Sequence, residues 1–71
     1  MTFAICIDNE GYEASLELRK IYQVVPAEPS DPKGYIRIVD ETGEDYLYNA
    51  RAFEAVDLPS RIERKLMATL S

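Results

Sequence analysis

Gly34-Tyr35-Ile36-Arg37-Ile38-Val39, then Asp40-Glu41-Thr42-Gly43-Glu44, then Asp45-Tyr46-Leu47-Tyr48 is the stretch that decides the fold. In the first run Ile36 and Ile38 fall on one face and Tyr35, Arg37 and Val39 on the other, the period-two pattern of a strand. The polar middle is a tight hairpin loop in which Gly43 is free to take a positive φ. Asp45 to Tyr48 is the returning strand. Downstream, Asn49 to Ala52 is too short for an α-helix and suits one 3₁₀ turn. Phe53 to Val56 then reads as a last short strand. Upstream, Pro26 to Lys33 is a loop, because Pro26, Pro29 and Pro32 fit neither a central strand nor a helix interior. Ile21 to Val25 is a strand with Tyr22 and Val24 on one face and Gln23 on the other. Leu16-Glu17-Leu18 alternates like a half-buried strand, with Arg19-Lys20 as the turn after it. Asp8 to Gly11 is turn chemistry. Thr2 to Ile7 is apolar on both faces, which predicts a strand covered on both sides.

The chain has 71 residues, enough for one hydrophobic core and not two. It is 46% hydrophobic and 30% charged, a globular rather than a disordered balance. The net charge of −5 disfavours nucleic acid and anionic membranes as partners, since phosphate contacts need clustered Lys and Arg. A single cysteine excludes an internal disulfide. With no histidine, the commonest general base and metal ligand are missing, and no cofactor is expected. Met1 to Ile7 has no basic flank and meets Asp8 at once, unlike a secretory leader. No apolar run nears the roughly 20 residues of a membrane span. The cytoplasm is the expected compartment, and the lone thiol fits it.

From Leu58 the character changes. Ser60 and Glu63 have capping-box spacing, and Ile62, Leu66 and Leu70 form an apolar stripe widened by Met67. Such a helix is too short to persist alone in water. It must dock on the rest of the chain or on a neighbouring subunit, the second option making a homodimer. Charge favours the first: residues 1–58 carry a net −7 and residues 59–71 a net +2. The expected core is Ile5, Ile7, Leu16, Leu18, Tyr22, Val24, Ile36, Ile38, Tyr48 and Phe53.

Short strands with a 3₁₀ turn before the last give the order of an SH3 domain. Thr42-Gly43-Glu44-Asp45-Tyr46-Leu47-Tyr48-Asn49-Ala50-Arg51-Ala52-Phe53 resembles, without gaps, the SH3 stretch T-G-x-x-G-Y-I-P-S-N-Y-V. Leu16-Glu17-Leu18 with Ile21-Tyr22-Gln23-Val24 is similar to that family's L-S-F, diverging turn and G-D-I-L-x-V. The resemblance covers about residues 3–57. It points to the small bacterial SH3-like β-barrel proteins, whose functions are largely unassigned. The implied fold is mainly β: a five-stranded SH3-like barrel over residues 1–57, with an added C-terminal helix over residues 58–71 packed on it in a single domain.

The departures from the family matter for function. The resemblance places the peptide-groove positions on Leu47, Asn49 and Ala52, where the family has Tyr, Pro and Tyr. The groove tryptophan falls near Gly34 or Tyr35, and the chain has none. The A-L-Y-D-Y segment matches only as Ala4-Ile5-Cys6-Ile7-Asp8. Ordinary PxxP ligands are therefore not expected.

Other features read plainly. The three prolines, three residues apart, have the spacing of a polyproline ligand but sit among acids and read as a stiffened loop. Cys6 lies in an apolar strand with no activating histidine, so packing is its role. The acid pairs Asp40/Glu41 and Glu44/Asp45 flank a hairpin tip, where charge is solvated. Tyr12, Tyr35 and Tyr46 are the tyrosines free to be exposed, and Arg37, beside Tyr35 and Tyr46, is a candidate to stack on a ring. The expectation is a non-enzymatic protein–protein interaction module with an unassigned protein partner. Its candidate binding residues are Tyr12, Tyr35, Arg37, Tyr46, Leu47, Asn49 and Ala52, with no catalytic, cofactor-binding or metal-ligating residue. Two alternatives remain: a nucleic-acid- or ribosome-associated barrel contacting through Arg61, Arg64 and Lys65, and a small acidic inhibitor or antitoxin that mimics nucleic acid.

Overall fold

The computed structural model describes residues 3–69. Strands β1 (Phe3–Cys6), β2 (Ile21–Val25), β3 (Tyr35–Val39) and β4 (Asp45–Asn49) precede a 3₁₀ turn (Ala50–Ala52), strand β5 (Phe53–Val56) and helix α1 (Ser60–Thr69). The strands form one antiparallel sheet in the order β4-β3-β2-β1-β5. Thr2 and Leu70, assigned above to the first strand and the helical stripe, lie outside the described residues.

Alternation works where it is visible in the sequence. Ile36 pairs with Tyr48 and Val24 with Ile38, and these side chains share the inner face. With Leu16, Tyr22 and Phe53 they build the core. Its rings meet edge to face, Tyr22–Phe53 at 6.3 Å and Tyr48–Phe53 at 6.1 Å between centroids, the arrangement favoured by ring quadrupoles.

β1 departs from expectation. Ala4 and Cys6 point into the core, and Ile5 is half-buried on the other face with Phe3. Ile7 lies beyond the strand and is 50% exposed. An all-apolar strand carries no alternation from which to choose a face. The rings of Tyr22 and Phe53, opposite Ala4 and Cys6, leave room there for small side chains. Leu16-Glu17-Leu18 is not a strand: Leu16 is buried and Leu18 is 43% exposed. The turn there instead puts Arg19 at φ 64°, with its N–H bonded to the Cys6 carbonyl at 2.7 Å. That is left-handed backbone, which costs a non-glycine residue energy.

The capping box does not form as expected. The Pro59 carbonyl accepts from the N–H groups of Ile62 and Glu63 at 2.9 and 3.0 Å, so Ser60 is already inside α1 rather than capping it. Ile62 and Leu66 are half-buried and Met67 is exposed. Leu66 and Thr69 share the wall of a cavity of about 560 Å³ with Phe3, Ile21 and Gln23, on the face of β1 and β2 away from the core.

Candidate functional site

The β3–β4 hairpin is built around Asp40. Gly43, at φ 85°, closes it with an N–H···O bond of 3.0 Å to the Asp40 carbonyl. Asp40 Oδ1 accepts from the Thr42 N–H at 2.8 Å and the Thr42 hydroxyl at 2.6 Å. Its Oδ2 accepts from the Tyr48 hydroxyl at 2.6 Å. Asp40 is 6% exposed, which corrects its reading as a solvated hairpin charge. Burial pushes its carboxyl pKa up, but the bonds from Thr42 and Tyr48 outweigh burial and hold it below the ordinary value. The Tyr48 hydroxyl, buried and bonded to an anion, is pushed up to about 12.

The loop after β1 folds onto this hairpin. Tyr12 N–H bonds to the Asn9 carbonyl at 2.8 Å, and the Tyr12 carbonyl accepts from Ser15 and Leu16 at 2.9 and 2.8 Å. Asn9 Nδ2 donates to the Leu16 carbonyl at 2.9 Å. The Glu41 N–H donates to the Ser15 carbonyl at 3.0 Å, joining loop to hairpin. Tyr12 thereby stands edge-on to Tyr48, 5.1 Å between centroids. The result is a groove of about 370 Å³ walled by Tyr12, Tyr46, Leu47 and Tyr48, with Ser15, Asp40 and Thr42 also lining it. Tyr12 and Tyr46 are 53% and 48% exposed, so each offers an open ring.

Two networks brace the neighbourhood. The Tyr22 hydroxyl donates to Glu41 Oε2 at 2.5 Å and accepts from the Glu17 N–H at 2.7 Å. Lys20 Nζ bonds the same carboxylate oxygen at 2.6 Å and lies 5.4 Å from the Tyr22 ring centroid. Lys20 and Tyr22 hold the Glu41 pKa down, while burial and the bond to Glu41 raise that of Tyr22. On the opposite face, Arg37 forms a fork on Asp31, Nε to Oδ2 and Nη2 to Oδ1, both at 2.8 Å. It also reaches Asp45 at 3.1 Å and Glu28 at 3.3 Å. The Arg37 fork and the Glu28 N–H, which donates to Asp31 Oδ2 at 2.9 Å, hold the Asp31 carboxyl below its ordinary value. They pin the proline loop, where the Asp31 N–H bonds to the Glu28 carbonyl at 2.9 Å. That turn interrupts the row of Pro26, Pro29 and Pro32.

Of the seven candidate residues, Tyr12, Tyr46 and Leu47 meet at the groove. Tyr35 and Arg37 lie on the face of the hairpin opposite Tyr46 and Tyr48, a face Leu47 shares, and Arg37, paired with Leu47, spends its guanidinium on carboxylates instead of stacking on Tyr35 or Tyr46. Asn49 Oδ1 accepts from the Arg51 N–H at 2.9 Å and caps the 3₁₀ turn. Ala52 packs against the core, and its carbonyl accepts from Ile7 and Asp8. Asp40, Ser15 and Thr42 were missed as groove residues. The Asp-x-Thr-Gly spacing was the available signal, since an Asp side chain commonly bonds two residues ahead in a turn.

Cys6 is buried, and burial pushes its thiol pKa up. Among the described residues no three His, Cys, Asp or Glu side chains converge as a metal site, and no helix is long and apolar enough to cross a membrane. No family model, curated protein or solved structure matches the chain.

Proposed function

We propose that the protein is a non-enzymatic, cytoplasmic SH3-like barrel that binds a protein partner through the Tyr12–Tyr46–Tyr48 groove. The strand order, with a 3₁₀ turn between the last two strands, supports the SH3-like reading. The single observation that carries the function is the pair of half-exposed tyrosine rings standing over one groove. Tyrosines of this kind give contact area at small entropy cost, and binding energy concentrates on them. The groove is held by backbone bonds from the loop and the hairpin, so little ordering is needed on binding.

Capture from cells tests this with paired baits. A partner retained by wild type and by Tyr35→Ser, but lost with a Tyr12→Ser/Tyr46→Ser bait, supports the groove. A partner held equally by all three baits contradicts it.

A further inference from the structure

The groove has an anionic floor without a counter-ion, and this sets the chemistry of its occupant. Asp40 is bonded only to neutral donors, the N–H and hydroxyl of Thr42 and the hydroxyl of Tyr48. No ion pair among the described residues includes it. The nearby cations are committed to other acids, Lys20 to Glu41 and Glu17, and Arg37, opposite Leu47, to Asp31, Asp45 and Glu28. The rim has the same sign. Glu44 accepts from the Tyr46 hydroxyl at 3.0 Å, and exposed Glu10 and Glu13 flank Tyr12 in its loop.

Open tyrosine faces attract a cation through the ring quadrupole, and flanking carboxylates add to that attraction. A Lys or Arg stem also lays apolar length along such rings while its head stays near the charges. A neutral or acidic segment would bring no positive charge to the exposed rim carboxylates of Glu44, Glu10 and Glu13, and an acidic one would be repelled by them.

Resting on the groove reading above, we infer that the partner presents an extended basic segment, with a Lys or Arg head seated over the Tyr12 and Tyr46 rings. Charge complementarity supports this occupant: Asp40 lines the groove, Glu44 accepts from Tyr46, Glu10 and Glu13 flank Tyr12, and residues 1–58 carry a net −7.

The test is selection of displayed random linear peptides on the full chain, with binding of the selected peptides then measured on variants. Enrichment of Lys and Arg is expected, with affinity falling about tenfold in Tyr46→Leu, surviving in Tyr46→Phe, and weakening with added salt. The Tyr46 side chain bonds only to Glu44 at the surface, and an unchanged melting temperature confirms that Tyr46→Leu is folded. Groove-dependent peptides without basic enrichment overturn this inference and leave the groove standing as a binding site. Absence of any peptide sensitive to Tyr12 or Tyr46 substitution overturns both. Dimerisation that Tyr46→Leu abolishes would assign the groove to the basic helix of a second copy, and overturns the inference of a separate partner.

Discussion

The Tyr48 hydroxyl donates to Asp40 Oδ2 over 2.6 Å, joining an inward-facing strand residue to the acid that organises the hairpin loop. Core and groove share this bond, because Tyr48 packs on Phe53 on one side and on Tyr12 on the other. Tyr48→Phe keeps the ring and removes the donor. It should cost about 1–3 kcal/mol, the range for leaving a buried polar group short of a partner. Urea unfolding measures it, and an unchanged midpoint would show that the bond contributes nothing.

Stability should fall at both ends of the pH range. Asp40, Glu41 and Asp31 have lowered native pKa values, so their contribution is complete above the ordinary carboxyl range and lost as pH drops below about 4. Tyr48 is raised from 10.0 to about 12, so its contribution is complete below pH 10 and lost as pH climbs toward 12. For Tyr48 the loss is on the order of 2–3 kcal/mol. Tyr22 acts in the same direction. Unfolding followed against pH should show both arms, and Tyr48→Phe should remove its share of the alkaline one and leave that of Tyr22.

The strand faces can be checked with two isoleucines. Ile38 is fully buried beside Val24, so Ile38→Ala should cost about 2–5 kcal/mol. Ile7 is exposed, and Ile7→Ala should stay within about 0.5 kcal/mol. Equal losses in chemical denaturation would mean that the inner face is misassigned.

PxxP peptides should not bind. In the SH3-like reading proposed above, the peptide-groove positions fall on Leu47, Asn49 and Ala52, and the last two serve the 3₁₀ turn and the core. Tight PxxP binding depends on stacked aromatic rings. A titration reaching micromolar affinity, with shifts at Leu47 and Ala52, would overturn this.

Strands β2 to β4 were legible because Tyr22, Ile38 and Tyr48 sit in runs where apolar and polar residues alternate. β1 was legible as a strand but not in its facing, since Phe3, Ala4, Ile5 and Cys6 are all apolar and only pairing with β2 and β5 selects a side. Tyr12 and Tyr46 could be read as exposed, but not as neighbours. Their meeting depends on the bond between Glu41 and Ser15, backbone groups far apart in the chain. Asp40 was hidden because acids in a hairpin ordinarily face water. Its burial requires the hydroxyls of Thr42 and Tyr48, whose partners are set only by the fold.

The most direct test of the groove is a backbone amide shift map of the labelled full chain, recorded while the captured partner is added. Perturbations centred on Tyr12, Ser15, Thr42 and Tyr46 are the predicted result. Perturbations centred on Tyr35, Asn49 and Ala52, with Tyr12 and Tyr46 unmoved, would contradict the account.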